Sequence, residues 1–267
     1  ANIALAARDG NFTAKGPLRP GLVFAGTVDR LTAPQLNVDL FAGLNERKVN
    51  LKGSVRSSAM TADIQGLVDL AESKFGPLRV NAALLTPGAI MEKVRGRDVR
   101  ASVILDGPMA TPFIDYDITA KNIAFDATGI ENLKASGRAV IDADRIRIPV
   151  NATASRVTGV NAAAGGLLQN LRVKGDFAYA AGKLISDSLK IDSDKVDATA
   201  IILADLDNAI YRGGLKGRVN DYRIDGVGIV NLNTDVELVP GPKGGFGLSG
   251  RFGVRTARWE NASVRDF

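Results

Sequence analysis

Apolar and polar residues alternate along most of this chain. In Ile114-Asp115-Tyr116-Asp117-Ile118-Thr119-Ala120-Lys121 every even position is apolar and every odd one is polar. The same beat runs through Leu133-Lys134-Ala135-Ser136-Gly137-Arg138-Ala139, Leu171-Arg172-Val173-Lys174-Gly175-Asp176-Phe177 and Lys195-Val196-Asp197-Ala198-Thr199-Ala200. It returns in Phe246-Gly247-Leu248-Ser249-Gly250-Arg251-Phe252. Successive side chains of a strand point to opposite faces, so this pattern predicts sheet with one apolar and one wet face.

Further alternating runs span Leu22–Val28, Leu36–Leu40, Val49–Val55, Leu78–Leu84, Val99–Leu105, Ile146–Ala154, Leu189–Ile191, Val196–Ile202, Leu215–Val219 and Val230–Leu238. Turn signals separate them: Arg19-Pro20-Gly21, Gly76-Pro77, Thr86-Pro87-Gly88, Asp106-Gly107-Pro108, Ala181-Gly182-Lys183, Asp207-Asn208 and Pro240-Gly241-Pro242. Strands at a spacing of about 8–12 residues predict an all-β architecture of roughly twenty strands. Two stretches have helical spacing instead. Leu67, Leu70, Ala71, Lys74 and Phe75 fall on one helical face, with Gly76-Pro77 as a stop. Val160, Ala163, Ala164, Leu167 and Leu168 do the same, with Asn161 as a cap and Gly165-Gly166 against it. Short helices are therefore expected near 67–75 and 160–169, within a single elongated β-segment over residues 1–267.

Composition changes the picture by what it removes. There is no Cys and no His, so disulfides, thiolate chemistry and the commonest general base and transition-metal ligand are absent. A Ser nucleophile would need a Lys partner, and no S-x-x-K motif occurs. The expectation is a protein that is not an enzyme and holds no cofactor or metal. The net charge of +5 is small and dispersed, and the basic residues are not interleaved with aromatics as a nucleic-acid stacking platform requires. No segment approaches the ~20 apolar residues of a membrane-spanning helix. The opening run is already strand-like, so the chain is taken as a piece of a longer polypeptide.

Four local patterns read as structure and not as chemistry. Gly245-Phe246-Gly247-Leu248-Ser249-Gly250 matches G-x-G-x-x-G, but Arg251-Phe252-Gly253-Val254 continues a strand where a dinucleotide site needs a helix. Asp192-Ser193-Asp194-Lys195-Val196-Asp197 has Val where a calcium loop needs an oxygen ligand, and predicts a solvated turn. Asp142, Asp144, Arg145 and Arg147 predict an exposed strand face, and Asn11, Asn151 and Asn261 head glycan sequons by pattern alone.

Aromatics make up 6% of the chain, and many inward positions are Ala, Gly or Val. An apolar face so thinly furnished leaves room for an acyl chain. The candidate lining is Ile114, Tyr116, Ile118, Leu133, Leu171, Val173, Phe177, Tyr179, Val196, Ile202, Phe246, Leu248 and Phe252.

Several stretches resemble the AsmA-like superfamily of Gram-negative envelope proteins, most closely its TamB (translocation and assembly module) branch. They are Gly66-Leu67-Val68-Asp69-Leu70-Ala71, Leu105 through Pro112, Gly159 through Leu168, and Leu215 through Tyr222. The resemblance implies a curled sheet forming a taco-like, U-shaped apolar groove. It implies a periplasmic bridge along which phospholipid moves between inner and outer membranes, anchored in the inner membrane by a segment outside this chain. The implied protein partner is an outer-membrane barrel of the Omp85 type. Two other functions fit the strand pattern: a scaffold for outer-membrane β-barrel assembly, and a structural β-solenoid of a secreted passenger or adhesin.

Overall fold

The computed structural model describes residues 3–18, 26–142, 145–159, 167–205, 210–224, 228–240, 246–259 and 262–265. The chain is all-β, built from antiparallel strands, as the alternation predicts. Eighteen strands lie among the described residues, somewhat fewer than the spacing suggests because several reach 13–15 residues. The strands group into two compact units. One holds Ala1–Ala124 with Lys134–Ala143, the other Phe125–Leu133 with Asp144–Phe267.

The first unit is a run of hairpins. β1 (Ala4–Arg8) pairs with β2 (Asn11–Leu18), β2 with β3 (Leu36–Asn45), β3 with β4 (Lys48–Arg56), β4 with β5 (Met60–Asp69) and β5 with β6 (Lys74–Leu84). β6 pairs with β8 (Val99–Pro108), and β8 with β9 (Phe113–Phe125). A 3₁₀ turn (Pro87–Ala89) and β7 (Val94–Arg97) fill the connection between β6 and β8. The register sets like against like. Phe12, Ala42, Leu51 and Gly66 form one cross-strand row, and Ala14, Leu40, Gly53, Ile64 and Val80 the next. The opposite parity is wet and carries ion pairs such as Lys15–Asp39 at 3.0 Å and Arg56–Asp63 at 2.7 Å. β10 (Thr128–Asp142) divides between the units. Arg138 on it makes a two-pronged contact with Asp115 of β9, at 2.6 and 2.8 Å.

The second unit repeats the arrangement with β11 (Arg145–Thr158), β12 (Gln169–Ala180), β13 (Lys183–Asp192), β14 (Val196–Asp205), β15 (Ile210–Ile224), β16 (Gly228–Pro240), β17 (Phe246–Trp259) and β18 (Ala262–Arg265), each paired with the next. Its apolar parity is a core. Leu189, Val196, Ala198, Ala200, Val219, Val230, Leu232, Val236 and Ala257 are all buried. Leu167 and Leu168 pack against the cluster formed by Val196, Ala198, Val219, Val230, Leu232 and Ala257.

The helix expected at 67–75 is a hairpin. Leu67–Asp69 end β5, residues 70–73 turn, and β6 starts at Lys74. The Asp69 carboxylate Oδ1 accepts from the N–H groups of Ala71 (2.9 Å) and Glu72 (3.0 Å), which fastens the turn. Gly76-Pro77, expected as a helix stop, lies inside β6 at a bulge. Gln65 opposes Arg79 and Val68 opposes Phe75, so β6 carries one extra residue. Pro tolerates a bulge because no ladder N–H is needed there, and the extra residue restores Phe75 to the apolar face. Of the helix expected at 160–169, residues 160–166 lie outside the described residues. Leu167 and Leu168 are not helical, and β12 begins at Gln169. The signals at Arg19-Pro20-Gly21, Asp207-Asn208 and Gly241-Pro242 also lie outside them, as do Asp144, Gly245 and Asn261. A helix stands where none was expected. α1 (Gly26–Thr32) covers the last part of the run expected as strand over Leu22–Val28.

The small inward residues are not simply vacant. A Cβ added at Gly53 would meet Leu40 Cδ2 at 2.5 Å and Leu40 Cα at 2.8 Å. At Gly217 it would meet Ala198 Cα and Cβ, the latter at 2.5 Å. In both cases the glycine lets the partner strand's residue lie over it. The space is therefore partly filled by neighbours.

Two outcomes follow. Gly53→Val forces Leu40 aside and is expected to destabilise by about 1–3 kcal/mol, whereas outward Asn50→Val stays within about 0.5 kcal/mol; urea titration of both variants checks this. Asp69 is held below its ordinary carboxylate value by the Glu72 N–H first, against some desolvation, and then by the Ala71 N–H and nearby Lys48 and Lys74. A depressed folded pKa stabilises above the unfolded value of 3.8 and loses that contribution as pH falls below it. The Tm gap between wild type and Asp69→Asn should close as pH drops below 3.8, and a gap that is flat with pH would contradict the assignment.

Candidate functional site

An apolar parity must be covered, and in the second unit its own side chains and Leu167-Leu168 cover the part around Val196, Val219 and Val230, while Phe252 at its β17 edge stays exposed. In the first unit the described residues leave part of the apolar parity exposed. Leu5 is 78% exposed and Phe12 49%, both on the apolar parity. Between β1 and β5 lies a hollow of about 600 Å³. Its apolar lining is Leu5, Ala7, Phe12, Ala14, Leu40, Ala42, Leu51 and Ile64, completed by Ala6, Thr13, Phe41 and Lys52 of the opposite parity. The volume falls within the range of about 300–1,000 Å³ typical of small-molecule sites.

The hollow follows from local sequence. Ala14 and Ala42 stand beside Phe12, Leu40 and Leu51 in the same two rows, so small residues form the floor and large ones the rim. Leu40 leans over Gly53 in its own row. Among the described residues no carboxylate lines the space, and Lys52 brings a charge to its edge. What it offers is contact with an apolar chain, at about 0.8 kcal/mol for each CH₂ removed from water.

Of the thirteen residues expected as lining, the eleven with described side chains are not part of this hollow. Ile114, Tyr116 and Ile118 lie on β9 opposite Leu105, Val103 and Ala101, all half-buried. Burial pushes the Tyr116 phenol above its ordinary value. Leu133 on β10 is half-buried. Leu171, Val173, Phe177 and Tyr179 on β12 face Ala154, Ala152, Ile148 and Ile146 of β11 and are half-buried too. Val196 is 5% exposed and belongs to the core of the second unit. Its cluster neighbours stand on β15, β16 and β17 as well as on β14. Ile202 is half-buried opposite Gly213 and Ser186. Phe252, opposite Thr234, is 53% exposed. Phe246 and Leu248 lie on β17, and their side chains are outside the described residues. The residues sequence reasoning passed over are Leu5, Phe12, Leu40, Leu51 and Ile64. Their alternation was visible, but nothing in it distinguishes an uncovered strand from a covered one.

The calcium-like stretch at 192–197 is the tight β13–β14 turn. Ser193 N–H donates to the Val196 carbonyl at 2.8 Å, and Val196 N–H donates to Ser193 Oγ at 3.0 Å.

No protein-family model, curated protein or solved structure matches the chain.

The contrast between units has a direct check. Leu5→Ser and Phe12→Ser remove exposed apolar surface, so they should lower binding of an environment-sensitive dye while moving stability by less than about 0.5 kcal/mol. Val196→Ser should do the reverse, destabilising by a few kcal/mol as a buried large-to-small change. Equal stability losses at Phe12 and Val196 would mean that the first unit's face is covered as well.

Proposed function

We propose that this chain is a lipid-handling segment of the TamB type, in which the apolar face receives phospholipid acyl chains. The observation that carries the reading is the open hollow of the first unit, backed by a parity laced with ion pairs. One face of the same strands is suited to hydrocarbon and the other to water. On this reading the chain is part of a periplasmic bridge between inner and outer membranes. An anchor in the inner membrane lies outside this sequence, and an Omp85-type barrel is the protein partner. The chemistry asked of the protein is non-covalent. Acyl chains rest on Phe12, Leu40, Leu51 and Ile64, headgroups stay in water, and no bond is made or broken.

A charge in the path tests it. Leu40→Asp places a carboxylate where hydrocarbon should lie, and desolvating it costs several kcal/mol. Gently purified protein is extracted with organic solvent and the extract analysed by mass spectrometry. Wild type should release phospholipid, Asn50→Asp should release a similar amount, and Leu40→Asp should retain at least tenfold less, one decade for each 1.4 kcal/mol. Wild-type protein that carries no lipid after gentle purification, and takes up none from vesicles, would end this reading.

A further inference from the structure

The hollow stops partway along its own strands. Its walls reach Leu40, Leu51 and Ile64 and go no further. One register row beyond stand Val38, Val55 and Ala62, opposite one another, and Ala62 is 5% exposed. In the next row Leu36 is 7% exposed. The apolar parity continues without a break in sequence, and Val38 and Val55 are half-buried like Leu40, Leu51 and Ile64, yet the walls of the hollow end between these two adjacent rows.

At that end stand α1 and the 3₁₀ turn. Arg30 on α1 donates from Nε to the Ala89 carbonyl (3.1 Å), and from Nη2 to the Ile90 carbonyl (3.1 Å) and to Thr27 Oγ1 (3.0 Å). From the β4–β5 turn, Ser57 Oγ donates to the Leu31 carbonyl at 2.6 Å and Ser58 Oγ to the Ala33 carbonyl at 2.9 Å. Thr32, Ala59 and Ala89 are buried among these contacts. A helix of seven residues is not stable by itself in water. The bonds from Arg30, Ser57 and Ser58 therefore tie it to the 3₁₀ turn and to the β4–β5 turn.

We infer that α1 is a stop. It ends the stretch of apolar floor that an acyl chain can occupy, and Arg30 with Ser57 sets where that end falls. The inference rests on the lipid reading above and adds a boundary to it. Hydrocarbon contacts the rows of Leu51 and Leu40 and is kept from the rows of Val55 and Leu36. Arg30 is a positioning residue, acting through the helix it holds and not by touching lipid.

The test needs no change to the floor itself. Phosphatidylcholine vesicles carrying a diazirine in one acyl chain are incubated with the whole chain and irradiated, and adducts are mapped by residue. In wild type, adducts at Leu40, Leu51 and Ile64 should exceed those at Val38, Val55 and Ala62 at least tenfold. In Arg30→Ala combined with Ser57→Ala, labelling should spread to Val38 and Val55, while hydrogen exchange shows residues 28–33 released. Even labelling of both sets in wild type overturns the stop but leaves the lipid reading standing. So does a released α1 with an unchanged labelling boundary. Absence of adducts on this face altogether removes the lipid reading and the stop with it. Should the double variant fail to fold, Arg30→Gln alone carries the same expected spread at smaller extent, and the wild-type boundary still decides the outcome.

Discussion

Each strand has to present its side chains in the same phase as the strand before it, and everything else in this fold depends on that. An antiparallel ladder gives two positions per repeat and no intermediate setting, so a slip of one residue turns a strand's apolar set into the water. The chain meets this constraint in two ways. Most hairpins pair in strict register, as between β3 and β4 or β14 and β15. Elsewhere the sequence changes parity, and a bulge absorbs the change. Besides the one at Gly76-Pro77, a bulge at Asp187-Ser188 lets Leu184, Ser186, Leu189 and Ile191 share a face. Another at Asn220-Asp221 brings Tyr222 opposite Val230, and Asn231 Oδ1 accepts the freed Asp221 N–H at 2.9 Å. The cross-strand ion pairs of the wet parity fit this phase but do not impose it. Exposed pairs of that kind are worth only about 0–1 kcal/mol each, while a single fully buried Leu such as Leu189 contributes about 1.5–3 kcal/mol.

The same pattern yields two different surfaces. In the second unit a strand-end segment, Leu167-Leu168, is packed onto the apolar parity and the face becomes a core. In the first, α1 and the 3₁₀ turn stand at only one end of the strands, and the rows from β1 to β5 stay open. Alternation decides which side chains share a face. Whether that face is interior or surface is decided by segments that do not alternate.

This is also where reading from sequence gave out. The all-β class, the parity of nearly every strand and the turn at 192–197 were legible because a period of two is set by backbone geometry alone. Leu67, Leu70, Ala71, Lys74 and Phe75 misled because a hairpin with a four-residue turn and a bulge can place apolar residues at helical spacing by coincidence. α1 was illegible because Leu22–Val28 is short and its apolar residues suit either period. The expected lining fell on strands with the most regular alternation, such as β12 and β14. The hollow lies at β1–β5, where exposure comes from missing long-range cover. Val196 illustrates the limit. Its local sequence resembles that of Leu51, and only the strands and the Leu167-Leu168 segment around it make it core. The inward glycines carried a half-correct signal. They do mark thin places in the face, but at Gly53 and Gly217 the partner strand leans into the gap.

Within each unit nearly every ladder joins neighbours in sequence, which gives the architecture a property resembling a reading frame. A whole hairpin added or removed between two strands leaves the parity of all later strands intact. A single residue added inside a strand inverts everything downstream, unless a bulge forms to cancel it. Such a chain can change its length in units of two strands across generations without redesigning what is already there, and can fold outward from any completed hairpin as neighbouring segments become available. The Gly76-Pro77 bulge is then a frame correction kept in place, a mark of how such a sheet tolerates an odd residue without losing the face it presents.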